Sequence, residues 1–121
     1  MGRRRNGNGV DFEEKVEKVV SQLKELEVND YFVLPTEIDG YEVAVGVWSV
    51  GNKGSYAIKL RRENSHPASY IAKIRNIDEL QAIKKTIEFL EQNMHVVEAI
   101  NRLNGNNARK TKTPKGKILQ F

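Results

Sequence analysis

Cysteine is missing from all 121 residues, which excludes disulfides, thiolate-held zinc and thiol catalysis. That absence suits a reducing compartment, and a cytoplasmic protein is the expectation. No apolar run approaches the roughly 18 residues of a membrane span, so no membrane partner is expected. The opening MGRRRNGNGV lacks the apolar region that follows the basic start of a secretory leader. The two histidines, His66 and His95, have no acidic or histidine neighbour at a convincing ligand spacing. Neither a metal nor any other cofactor is therefore expected. Gly51–Gly54, GNKG, has neither the spacing of a phosphate-binding loop nor a helix after it. Ser65-His66 reads as turn chemistry rather than as a nucleophile with its base. The expectation is a protein without catalytic activity.

Acidic residues are absent from both ends. Arg3, Arg4 and Arg5 make the first segment +3, and Arg102, Arg109, Lys110, Lys112, Lys115 and Lys117 make the last one +6. All 16 acids lie between Asp11 and Glu98, where eleven bases leave the body at −5. A mildly acidic body with basic ends suits an anionic polymer, because mobile cations can follow a chain of phosphates. Auxiliary contacts are accordingly expected from Arg3, Arg4, Arg5, Arg109, Lys110 and Lys112. Solubility is the plainer explanation of such ends.

Residues 1–10 read as a basic flexible arm, 11–104 as one domain and 105–121 as a basic flexible tail. Asp11 with Glu14 three residues on resembles a capping box. Phe12, Val16, Val19, Val20, Leu23 and Leu26 then form one apolar helical stripe that ends at Asn29-Asp30. Strands are predicted at 31–34, 41–50, 55–62 and 69–75, with Asp39-Gly40 and Gly51–Gly54 as turns. A helix is predicted from about Asp78 to about Leu103. The fold class is thus α+β, two-layered: an N-terminal helix, a four-stranded antiparallel sheet and a long C-terminal helix.

Alternation divides the central hairpin into two faces. If Val50 lies opposite Ser55, then Val43, Val45 and Val47 share a face with Ile58 and Leu60, and the helices should cover it. The other face carries Trp48, Gly46 and Ala44 with Ala57, Lys59 and Arg61. Lys73 and Arg75 are placed beside the last two. Between Lys53 and Arg75 six bases face a single acid, Glu63. An aromatic ring between small residues and bordered by cations suits single-stranded nucleic acid, whose bases stack at ~1–3 kcal/mol each while phosphates meet Lys and Arg. Trp48, Lys53, Lys59, Arg61, Lys73 and Arg75 are the candidate binding residues. A packing role for Trp48, half-buried beneath a helix, stays open.

In the predicted long helix, Leu80, Ile83, Ile87, Leu90, Met94 and Val97 follow the three-and-four spacing of a coiled-coil seam. At 26 residues it would be about 39 Å long, longer than the sheet is wide. Its rear half would need another apolar surface, and Met94, Val97 and Ile100 are the candidate homodimer contacts. An intramolecular layer formed with the first helix is the alternative.

The order of elements over 11–103, with basic-aromatic strands in 41–75 and the apolar helix at 78–103, resembles the archaeal ThermoDBP single-stranded DNA-binding proteins. That resemblance implies a sheet-based cleft with an apolar floor and basic sides, and dimerisation through a C-terminal helix. By it, Trp48, Lys59, Arg61, Lys73 and Arg75 carry binding, while Met94, Val97 and Ile100 carry assembly. The four strands and helix also resemble the positive cofactor four type of coactivator. The expected function is non-catalytic, largely sequence-independent binding of single-stranded DNA. RNA or ribosome association is the second reading. A third is an adaptor using the long helix and the terminal Ile118-Leu119-Gln120-Phe121 to hold a protein partner.

Overall fold

The structure, a computed structural model, describes residues 7–66, 68–105 and 116–120. Its elements are α1 (Gly7–Lys24), β1 (Tyr31–Leu34), β2 (Tyr41–Val50), β3 (Lys53–Arg62), β4 (Ala72–Ile74), α2 (Ile77–Glu91) and α3 (Met94–Asn104). Three helices and one four-stranded antiparallel sheet make it α+β, with the strands in the order β1-β2-β3-β4. The chain divides into two compact units, one up to Gln81 and one from Ala82. The basic arm residues Arg3, Arg4, Arg5, Arg109, Lys110 and Lys112, together with Phe121, lie outside the described residues.

Helix α1 starts at Gly7, one turn before the expected Asp11, and stops at Lys24. The last turn tightens, with Leu26 N–H donating to the Leu23 carbonyl at 3.1 Å. Asn29 then adopts φ 75°, a left-handed position that asparagine tolerates better than most residues. The chain can thus reverse into the sheet.

The β2–β3 hairpin closes through Gly51 and Asn52, with Val50 opposite Lys53. Gly51 has φ 62°, the conformation for which two-residue hairpin loops favour glycine at their first position. The expected pairing of Val50 with Ser55 is therefore corrected by two residues. A shift of two preserves side-chain parity, so the division into faces stands although the partners change. Strand β4 is shorter than expected, and it brings Lys73 directly opposite Lys59.

The expectation of one long helix from 78 to 103 is corrected: the helix breaks at Gln92-Asn93. The Asn93 side-chain amide donates to the Phe89 carbonyl at 2.9 Å. This local bond competes with continuation of the helix. The three-and-four spacing runs across the break, which is why periodicity alone does not reveal it.

The expected core face is also corrected. The buried hydrophobic cluster is Ala44, Trp48 and Ala57, with Tyr31 packed against it. They lie on the face that carries the cations. On the other face Val47 is buried, whereas Val43, Val45, Ile58 and Leu60 are only half-buried. Two features cover the Trp48 face. The first is Tyr31, which stacks on the indole at 5.2 Å between centroids and 23° between planes. Gly46 permits this: a Cβ there would collide with the Asp30 carbonyl oxygen and lie 2.5 Å from the Tyr31 Cβ. The second is the β3–β4 connection, which Arg61 draws over the sheet.

Candidate functional site

Arg61 is 1% exposed and spends its guanidinium on the protein itself. It pairs with Glu42 at 2.6 Å, and it donates to the carbonyls of Ser65 at 2.8 Å and His66 at 3.0 Å. A longer bond reaches the Ser69 carbonyl at 3.4 Å. Its carbon Cζ also lies 5.2 Å from the Tyr31 ring. A buried guanidinium is tolerable only when its donors are this well occupied. The expectation that Arg61 meets phosphate is corrected: it is a clip that fastens the β3–β4 connection to the sheet.

Trp48 is corrected likewise. Its ring is 2% exposed, and its Nε1 donates to the Ala57 carbonyl at 3.0 Å. With Tyr31 on the ring and the Lys59 ammonium 4.0 Å from its centroid, no open face is left for a base. Small neighbours at 44, 46 and 57 admit the indole and its cover instead of exposing it.

The clipped connection walls a cleft of about 430 Å³ whose lining includes Trp48, Ser49, Lys59, His66, Tyr70 and Lys73. Lys59 forms its inner part, at 4% exposure, and the half-buried Lys73 its outer part. Tyr70 supplies the open ring, 51% exposed, with the Lys59 Nζ at 5.2 Å and the Lys73 Nζ at 5.9 Å. Asn29, at the rim, holds Ser49 through its backbone N–H at 3.2 Å and its hydroxyl at 3.3 Å. On the connection, His66 Nδ1 accepts from the Ala68 N–H at 3.0 Å.

Burial, then the nearby charges of Lys73 and Arg61, hold the Lys59 ammonium below the ordinary lysine range. Like charges directly opposite across a ladder are unfavourable, and a fold keeps such a pair most readily where an anion relieves it. None of the described residues lining this cleft is acidic. The Glu79 carboxyl stays below the usual glutamate range chiefly through its hydrogen bond from the Arg75 side chain, with Lys73 a weaker contributor.

Two more expected binding residues lie elsewhere. Arg75 is held by Glu79, with its Nε at 3.1 Å from Oε2; it is not among the residues lining this cleft, but lines an adjoining depression with Tyr70, Lys73 and Glu79. Lys53 is exposed at the hairpin end. The structure therefore gathers Lys59, Lys73 and the edge of Trp48, and leaves out Lys53, Arg61 and Arg75. Tyr70 is the residue that sequence reasoning missed. Alternation over the predicted strand 69–75 sets it out of phase with Lys73, but the strand begins only at Ala72, so that alternation does not apply to Tyr70.

Among the described residues no group of three His, Asp or Glu side chains is placed to hold a metal ion. No described helix is long and apolar enough to cross a membrane. Compared with protein-family models, curated proteins and solved structures, the chain finds no match.

Proposed function

We propose that this chain is a non-catalytic, largely sequence-independent single-stranded DNA-binding protein, and that its grip is the Tyr70 cleft rather than an open Trp48. One observation carries the reading: an exposed aromatic ring stands within 5.2 and 5.9 Å of two ammonium groups that the sheet places opposite one another. An unpaired base stacks on Tyr70, and its phosphate meets Lys73 first and Lys59 behind it. Unstacked single strands offer a free base face to such a ring; duplexes do not. The resemblance to the ThermoDBP proteins points the same way, and a cysteine-free chain suits the cytoplasm.

The arms at Arg3–Arg5 and Arg109–Lys112 add salt-sensitive affinity in this proposal. Homodimerisation belongs to it as well. Met94, Val97 and Ile100 are 54%, 37% and 54% exposed, an apolar set on α3 available to a second copy. The adaptor reading retains one specific support, the exposure of Ile118 and Leu119.

The test is a fluorescence-anisotropy titration of labelled single-stranded DNA at several salt concentrations, with single-stranded RNA and duplex DNA as competitors. Single-stranded DNA is expected to bind with a steep salt dependence and to be displaced poorly by duplex. Equal competition by duplex, or binding without salt dependence, overturns the proposal.

A further inference from the structure

The face of the sheet opposite the cleft is apolar from edge to edge. Leu34, Val43, Leu60 and Ala72 form one row, and Phe32, Val45, Ile58 and Ile74 form the next. Val47 and Tyr56 complete it, and Arg62 at the far end is its only cation among the sheet residues. Within the unit ending at Gln81, the most extensive backbone apposition between elements is between neighbouring strands. Helix α1 edges this face without covering it. Its Val19 and Leu23 line an open groove of about 360 Å³ together with Val45, Ile58 and Ile74 of the sheet, Arg75, and Ile77 and Leu80 at the start of α2. Phe12, at 64%, and Val16, at 37%, stay exposed.

We infer that a second copy of this chain covers the face, each copy laying the Phe12–Val16 stretch of α1 into the groove of the other. Each chain carries a partly open apolar acceptor and an exposed apolar donor, the condition for a two-fold contact in which one patch serves both partners.

The exposed parts of Phe12, Val16, Val19, Phe32, Leu34 and Tyr56 come to roughly 600 Å² per copy, near the ~800 Å² that one partner contributes to a stable interface. Charge agrees too: Asp11, Glu13, Glu14 and Glu17 surround the donor residues, and Arg62 marks one end of the acceptor. This contact supplies the helical layer expected of an α+β sheet. It stands apart from the α3 contact and from the nucleic-acid reading.

The absence of cysteine makes a direct test possible. Val16→Cys and Tyr56→Cys chains, distinguished by length, are mixed and oxidised, while light scattering gives the mass of the unaltered protein. A dimer by mass is expected, or a tetramer where the α3 contact forms as well, with disulfide-linked heterodimer far exceeding either homodimer. Val16→Glu, on an exposed helix position, should weaken the dimer at least tenfold. A folded monomer by mass and circular dichroism overturns the inference. So does a dimer that cross-links through Met94→Cys but not through the 16–56 pair.

Discussion

Replacing Lys59 with methionine should separate stability from binding, moving the two in opposite directions. Lys59 is 4% exposed, faces Lys73 in the ladder and sets its ammonium 4.0 Å from the centre of Trp48. Methionine keeps the chain length and an aromatic contact of ~0.3–1.5 kcal/mol in place of a cation–π contact of ~0.5–2 kcal/mol. It also removes a like-charge opposition of ~0.2–1 kcal/mol and the cost of desolvating a cation. The variant should therefore match the parent within about 1 kcal/mol, with the balance in its favour. Binding loses one charge-assisted contact, ~1.5–3 kcal/mol or about ten- to a hundredfold in affinity. The slope of log K against log salt shrinks by ~0.7.

Urea unfolding and anisotropy across a salt series read the two quantities. Alkaline pH adds a check on sign. Because the folded state lowers the Lys59 pKa, the unfolded chain holds that proton to higher pH. Between the two values the group's contribution to stability therefore rises with pH, while affinity for an anion falls. Both trends should vanish in Lys59→Met. A variant that loses more than about 2 kcal/mol of stability and keeps the parental salt slope refutes the reasoning and makes Lys59 a packing residue.

Gly46→Ala should destabilise the fold by about 3 kcal/mol or more, read as a lowered urea midpoint, because the obstructing atoms belong to the Asp30–Tyr31 stretch beneath which Gly46 lies and backbone does not rotate away. Tyr70→Ala should leave stability within ~0.5 kcal/mol and weaken single-strand binding by ~1–3 kcal/mol in anisotropy. Trp48→Ala should cost ~3–5 kcal/mol of stability in the same urea assay. Arg61→Met should lose ~3–5 kcal/mol by stranding Glu42 and, in the fraction still folded at low temperature, keep the parental salt slope that Lys73→Met reduces.

The local elements were legible because periodicity reports backbone geometry. The α1 stripe, the strands at 31–34 and 41–50, and the parity that groups Trp48 with Lys59 and Arg61 all follow from it. Parity survived a register error because that error was even. What covers each face was not legible, since the cover is written in other terms. Arg61 reads as a surface cation until the carbonyls of Ser65 and His66 are seen to receive it, and backbone acceptors leave no trace in composition. Tyr31 reads as a strand aromatic of uncertain phase until Gly46 is seen to yield the space above the sheet. The helix break escaped for a related reason. A side-chain amide on a carbonyl four residues back leaves the apolar spacing untouched.

The sheet thus buries Lys59 opposite Lys73 and leaves Val43, Val45, Ile58 and Ile74 half open, the reverse of what a lone chain would favour. The two proposals resolve the two anomalies separately, with a phosphate for the lysine pair and a second chain for the apolar rows. They also fix a geometric consequence. If two copies join through their apolar faces, the Tyr70 clefts lie on the outward faces of the assembly and point away from one another. With a helix layer between the sheets, they stand roughly 20 Å apart or more, at about 10 Å per packed layer. A short strand can then occupy only one cleft. Avidity requires a strand long enough to pass around the edge of the dimer, so affinity should rise in a step with oligonucleotide length.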